Sequence, residues 1–404
     1  MIPVSDAIQI VLDNTRRLDA ELVPLAEAMG RVLAEDIAAD SDLPPFDRAQ
    51  MDGYAVRAAD TQNGRARLRV VGESAAGNGW HQEMHAGEAV RIMTGAPVPT
   101  GADAVQQVEV TRELNDGAIV EILEPVDAGR SIVRRAAEIK AGEIVLSAGE
   151  QIRAETIATL ASFGYASVRV GRRPRVAVLA TGSELVNVDE KPGRDQIRDS
   201  NNYTIAAYAA LAGASVERLP LAGDNRKQLQ QQMAEAVAHS DMLITSGGVS
   251  MGVYDFTKAA LIDLGAEIFF ERVALRPGKP TVFGRAGNTV VFGLPGNPVS
   301  VAVTFHLFAR PALRAMQGAT ELFPKPESAI LLGKVKGTLE RESYLPARLL
   351  STEQGCVMAE PLKWGGSSDF VGFARATALI IVPKGVKAID EGSYVKILRL
   401  PGAG

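Results

Sequence analysis

The sequence predicts a multidomain α/β fold: a central α/β domain on a parallel sheet, a β-rich domain inserted ahead of it, and a small C-terminal β domain. Three observations carry this. From residue 175 the pattern repeats as strand, turn, helix. Between 65 and 150, short strand-like runs are bounded by Gly, Asn and Pro. Beyond "FPKPES" at 323–328 the helical pattern stops and strands return. A length of 404 residues suits two or three domains at a prior of roughly 150 residues each.

The N-terminal stretch "MIPVSDAIQIVLDNTRR" reads as an amphipathic helix capped at Ser5 or Asp6, with Ala7, Ile8, Val11 and Leu12 on one side. A second periodic stretch at 24–38 also reads as helical, and Pro44-Pro45 break that pattern. "ARLRVVG", "EAVRIMTG", "GAIVEIL" and "AGEIVLSAGE" read as strands of the inserted domain. "AETIATLASFG" reads as a helix ending at Gly164, and "GRRPR" at 171–175 as a hinge.

In the α/β domain, strand "RVAVLA" leads to Thr181-Gly182-Ser183, and the helix "SNNYTIAAYAALAG" is capped near Ser200 or Asn201. Strand "ASVERLP" leads to Gly223-Asp224 and a helix at 226–238. Strand "DMLIT" leads to Ser246-Gly247-Gly248, and "TVVFGL" to Pro295-Gly296-Asn297-Pro298 and a helix at 299–309. "AILLGKVKG", "ARLLS", "ALIIVPKG" and "SYVKILRL" supply the last domain. The expected partition is 1–45 with 140–171 as a helical or extended linker domain, then 46–139, 172–323 and 327–404. The first helix is expected to pack on the α/β domain.

Hydrophobic residues make up 46% and charged residues 23% of the chain, an ordinary globular balance. A net charge of −5 argues against a general nucleic-acid binder and against an electrostatic membrane binder. It leaves room for a local basic pocket. The single cysteine, Cys356, permits neither an intrachain disulfide nor a thiolate metal cluster. His81 and His85 have a spacing that can hold a metal on a helix, but Gly77, Gly79 and Gly87 favour a loop there. The N-terminus lacks the basic region and long apolar core of a signal peptide, and no apolar run approaches the ~20 residues of a membrane span. The cytoplasm is the expected compartment.

Ligands of a parallel α/β sheet bind beyond the carboxyl ends of its strands. "ATGSEL", "TSGGVSMG" and "GLPGNPVS" occupy that edge. They read either as ordinary tight turns or as anion cradles of free backbone N–H groups, and three on one edge favour the cradle. There is no GxxxxGK[ST] and no GxGxxG after a strand, which removes P-loop and nicotinamide-dinucleotide chemistry. Glu184, Asp199, Asp224 and Asp255 follow strand ends or turns. Oxygen donors of this kind suit Mg²⁺ completed by substrate phosphates; helix capping is the alternative. Arg272, Arg276 and Lys279, stiffened by Pro277 and Pro280, suit a bound oxyanion. Together these residues describe a phosphate-bearing substrate with a divalent ion.

The chain resembles the molybdopterin molybdenumtransferase family and the E domain of gephyrin. The resemblance rests on "MDGYAV" (51–56), "RIMTGAPVP" (91–99), "ATGSEL" (180–185), "IRDSN" (197–201), "TSGGVSMGVYDF" (245–256), "RPGKP" (276–280) and "GLPGNPVS" (293–300). It implies four domains and a homodimer with the active site between subunits. It also implies the reaction of adenylyl-molybdopterin with molybdate to give molybdenum cofactor and AMP, with Mg²⁺ or another divalent cation. Asp52, Thr94, Glu184 and Asp255 match positions associated with activity, and Asp224 and Asp255 would hold the metal. Thr181, Gly182, Ser183, Ser200, Asn201, Ser246, Gly247, Gly248, Pro295 and Pro298 would bind substrate. Arg272 would do so too, and Arg276, Lys279 and Ser300 would lie around molybdate with Arg348 and Ser367 of the last domain. Glu138 stands where the family usually has aspartate. An adenylyltransferase of the same pathway, a tungsten-inserting variant and a gephyrin-like scaffold are the alternatives; "MDGYAV", "RIMTGAPVP" and the β insert argue against the first. Transient contact with the pathway's adenylyltransferase would be the partner interaction.

Overall fold

The computed structural model describes residues 1–222, 226–247 and 256–401. The chain divides into two compact units. One comprises Met1–Glu35, Ala148–Ile157 and Ser167–Gly404; the other comprises Asp36–Ser147 and Ala158–Ala166.

The first unit is built on a six-stranded sheet in the order Ser215–Arg218, Arg175–Ala180, Met242–Ser246, Thr289–Leu294, Val282–Ala286, Glu267–Phe270. The first four strands run parallel, as expected of apolar runs alternating with helices. Only Val282–Ala286 runs against the rest, because Gly287-Asn288 turn the chain directly from it into Thr289–Leu294; the edge strand Glu267–Phe270 pairs antiparallel with it and so follows the direction of the first four. Both faces of the sheet are covered, so its central strands are fully buried. Val4, Ala7 and Val11 of the N-terminal helix share a core with Ile244, Phe283 and Phe292.

That helix spans Val4–Asp13, with Pro3 at its cap position. Ser5 and Asp6, expected as caps, fall inside the first turn, where the Ser5 hydroxyl donates to the Asp6 carboxylate. The stretch 24–38 is not helical. It holds one 3₁₀ turn at Leu25–Glu27 and a short strand at Ile37–Ala38. Just before it, Ala20–Pro24 pairs with Ser167–Gly171, so the local apolar spacing is absorbed by a distant partner. The helix expected at 299–309 runs as Pro298–Thr304, a π turn at Phe305–Ala309, and Arg310–Met316. Pro311 has no N–H to continue the regular ladder, and the Arg310 N–H reaches back to Phe305 O instead.

The same unit ends in a five-stranded closed barrel. Glu342–Ser351 pairs with both Val357–Pro361 and Ala378–Val382, and Glu327–Leu331 and Tyr394–Arg399 complete the ring. Leu331, Leu345, Ala347, Ile380 and Ile397 fill it. Leu275–Arg276 runs parallel to Glu342–Ser343, which fastens the α/β domain to the barrel.

The second unit carries a six-stranded sheet in the order Ala104–Gln107, Gly53–Val56, Glu88–Ile92, Ala66–Ser74, Ile119–Ile122, Thr111–Leu114. The "GYAV" run is an inner strand with every residue buried. The Tyr54 hydroxyl donates to Glu113 at 2.6 Å, and burial together with that carboxylate pushes it up to about 12. Among the described residues no helix is long and apolar enough to cross a membrane.

Phe292 is fully buried, with its ring 4.9 Å from that of Phe283. Phe292→Ala is expected to destabilise the first unit by about 3–5 kcal/mol. Denaturant titration should show this as a lower midpoint for one transition.

Candidate active site

Register sets the site. Ala180 stands opposite Ser246, and Ser246 opposite Leu294, so three strands end at one level. Just beyond them lie Thr181, Gly247 and Pro295-Gly296-Asn297. The Thr181 N–H donates to Ser246 O at 3.0 Å and the Gly247 N–H to Leu294 O at 3.2 Å. Gly247 has φ +88°, and a Cβ there would stand 2.4 Å from Thr181 O. A side chain would meet both a steric wall and the left-handed region that disfavours it.

Asn201, at the first position of the Asn201–Leu211 helix, ties these ends together. Its Nδ2 donates to Ser246 Oγ and to Gly296 O, each at 2.7 Å. Ser200 occupies the cap position, but its side chain makes no capping bond. Asp199 does that work, its carboxylate accepting from the Asn202 N–H at 3.1 Å. Burial raises the Asp199 acid above the ordinary range, against the lowering effect of its hydrogen bonds from Asn202 and Asn201.

Two cavities open at this edge. One, of about 860 Å³, is lined by Thr181, Glu184, Asp199, Ser200, Asn201, Ser246, Gly247 and Pro298, with Val188, Ile197, Tyr203 and Phe370. The other, of about 820 Å³, is lined by Arg276, Lys279, Arg341, Pro295, Ser300 and Ser367, with Trp364. Among its described lining residues there is no carboxylate. Gly278, at φ +113°, lets this basic loop approach the helix behind it, since a Cβ there would stand 2.6 Å from Thr304 Cγ2. Gly296 and Asn297 line both cavities. Asn297 Nδ2 donates to Ser367 Oγ at 2.8 Å, and the Val299 N–H to Ser367 O at 3.0 Å, so the barrel domain closes the basic cavity.

Some expected residues stand elsewhere. Gly182, Ser183 and Arg272 line neither cavity, and Ser183 and Arg272 are exposed. Arg348 also lines neither; it pairs with Glu360 on the neighbouring strand at the barrel surface, bonding its carboxylate at 2.7 and 2.9 Å. Arg341 takes a place at the basic cavity that sequence reading missed. Only the pairing of Leu275–Arg276 with Glu342–Ser343 brings it there. Asn297 was also missed as a polar contact, although it sits inside "GLPGNPVS".

On the second unit, Gly53 opposes Ile92, which sets Asp52 beside Thr94. Asp52 Oδ1 accepts from the Thr94 N–H at 2.7 Å and from Thr94 Oγ1 at 2.8 Å, and these two bonds hold the carboxyl below its usual value. Glu138 pairs with Arg48 at 3.3 Å. His81 and His85 lie exposed and outside any helix. Gly248, Asp224 and Asp255 lie outside the described residues, and among the described ones no group of three or more His, Cys, Asp or Glu could hold a metal.

Family models match in order along the chain. They are the MoeA N-terminal region (domain I and II) over 2–164, a probable molybdopterin binding domain over 177–315, and the MoeA C-terminal region (domain IV) over 328–400. A molybdopterin molybdenumtransferase of Staphylococcus aureus (strain Mu50) is 36% identical over 401 residues, covering 98% of this chain and 95% of its own. One of Bacillus subtilis (strain 168) is 35% identical, covering 99% and 94%. The chain belongs to the molybdopterin molybdenumtransferase family. It is thus an enzyme of a transferase family, and its multidomain architecture is the family's. A molybdopterin biosynthesis protein of Pyrococcus horikoshii OT3 superposes with a TM-score of 0.86 at 30% identity, covering 99% of this chain and 100% of that one.

Gly247→Ala should place a methyl against Thr181 O and cost about 1–3 kcal/mol of strain. We expect a lowered melting temperature and loss of ligand binding at the larger cavity, measured by calorimetric titration. Unchanged binding would mean that the loop relaxes freely.

Proposed function

We propose that this enzyme inserts molybdenum into molybdopterin, converting adenylyl-molybdopterin and molybdate to molybdenum cofactor and AMP. The observation that carries the reading is the pair of cavities meeting at Gly296 and Asn297. One is walled by strand-end loops and carboxylates, the other by unbalanced positive charge. A large substrate with a phosphoanhydride fits the first. A small tetrahedral dianion fits the second, where Arg276, Lys279, Arg341, Ser300 and Ser367 offer charge-assisted hydrogen bonds.

The chemistry follows from that division. The turn at Thr181 and Gly247 and the first turn of the Asn201–Leu211 helix set backbone dipoles beside the phosphates. Glu184 and Asp199 line the same cavity and supply oxygen donors. Such a set fits Mg²⁺ held by one or two carboxylates and completed by substrate oxygens. When bound, that ion offsets charge developing on the departing AMP phosphate. Water attacks the adenylyl phosphorus and the anhydride P–O bond breaks, so AMP leaves beside Gly296 and Asn297 and the other phosphate stays on molybdopterin; the molybdopterin sulfurs then take the molybdate from the adjoining cavity, and its displaced oxygens leave as water. Asp224 and Asp255 enter this proposal on the family resemblance alone. The working form is proposed to be a cytoplasmic homodimer of four-domain chains, with transient delivery of substrate by the pathway's adenylyltransferase.

Purified protein given adenylyl-molybdopterin, molybdate and Mg²⁺ should release AMP and yield active cofactor. A folded protein that releases none contradicts the proposal. Lys279→Ala and Arg341→Ala should each raise the half-saturating molybdate concentration about tenfold or more, the loss of one charge-assisted bond. Arg348→Ala should leave it within about twofold, as a pair exposed on the barrel surface contributes little.

A further inference from the structure

The larger cavity carries more aromatic and aliphatic surface at its mouth than phosphate binding requires. Tyr203 is 43% exposed and Phe370 55%, and Val188 and Ile197 are exposed beside them. Exposed large apolar side chains gathered around one opening mark a surface that a ligand or partner covers. Tyr203 stands in the first turn of the Asn201–Leu211 helix, two residues past the amide that ties the loop ends. Arg218 ends the neighbouring Ser215–Arg218 strand, and its guanidinium carbon lies 3.9 Å from the Tyr203 ring centroid. That cation–π contact covers one ring face and fixes the ring's tilt. Among the described residues no other ring stacks on Tyr203.

Resting on the reaction proposed above, we infer that Tyr203, braced by Arg218, is the stacking platform for a planar nitrogen heterocycle of the substrate. It is therefore a specificity-determining residue. Adenylyl-molybdopterin carries two such rings, adenine and pterin, and each presents a π face that an aromatic side chain can cover. A ring held on Tyr203 lies next to Ser200, Asn201 and Thr181, so its attached phosphate points toward the strand-end loops.

The test is equilibrium binding of two probes, AMP and free pterin, to the full-length protein. Wild type, Tyr203→Ala, Tyr203→Leu, Tyr203→Phe and Arg218→Ala are compared, with thermal melts alongside. Tyr203→Ala and Tyr203→Leu should weaken one of the two probes about tenfold, while Tyr203→Phe stays within about twofold. Arg218→Ala should fall between them. The probe that weakens names the ring. Tyr203→Leu keeps apolar bulk without the π face, so it decides the matter if the alanine variant melts early. Variants lacking the ring that bind both probes as tightly as wild type overturn the platform. Wild type that binds neither probe overturns the proposed reaction itself, and the platform with it.

Discussion

The site depends on one buried amide. Asn201 Nδ2 holds Ser246 Oγ and Gly296 O at 2.7 Å each, joining a helix start to the ends of two strands. Each bond contributes on the order of 1 kcal/mol net, but breaking the pair would leave buried polar groups unmatched at a larger cost. Backbone bonds from Thr181 to Ser246 and from Gly247 to Leu294 join neighbouring strand ends, and the Asn201 amide adds a side-chain tie from the helix to two of these ends. Gly247 is bent back against Thr181 O, and the Pro295–Pro298 turn has two prolines and a glycine. Without the amide, the wall shared by the two cavities loses its tie to the helix start and keeps its bonds to Ser367.

The division of charge then follows from topology. The parallel strands deliver Thr181, Ser246 and Gly296 to one edge, together with the acidic Glu184 and Asp199. The basic cavity needs a second domain. Arg276 and Lys279 come from the α/β domain, but Arg341, Trp364 and Ser367 come from the barrel. The Leu275–Arg276 pairing with Glu342–Ser343 and the Asn297–Ser367 bond are what bring them together. A cation cluster built from two domains can bind an oxyanion without any long-range excess of positive charge, consistent with a chain of net charge −5.

Legibility followed the range of the interactions. The parallel strands were readable because each is a short, unbroken apolar run between turn residues, and "MDGYAV" was readable as a motif. The stretch 24–38 was misread because apolar spacing cannot distinguish a helix from segments that find their partners more than a hundred residues away. The Val282–Ala286 strand was missed although Gly287-Asn288 between apolar runs is a hairpin signal. Arg341 was not readable, since its place follows from the register between two domains. Arg348, seven residues on, is expected at the site from the family resemblance but pairs with Glu360.

In the proposed reaction the two cavities hold different ligands at once, with Gly296 and Asn297 between them. Titrating molybdate into protein already saturated with AMP and Mg²⁺ tests it directly. Both ligands should be bound together, with molybdate affinity unchanged or tightened by AMP. Molybdate affinity that falls in proportion to AMP concentration, the mark of one shared site, would contradict it.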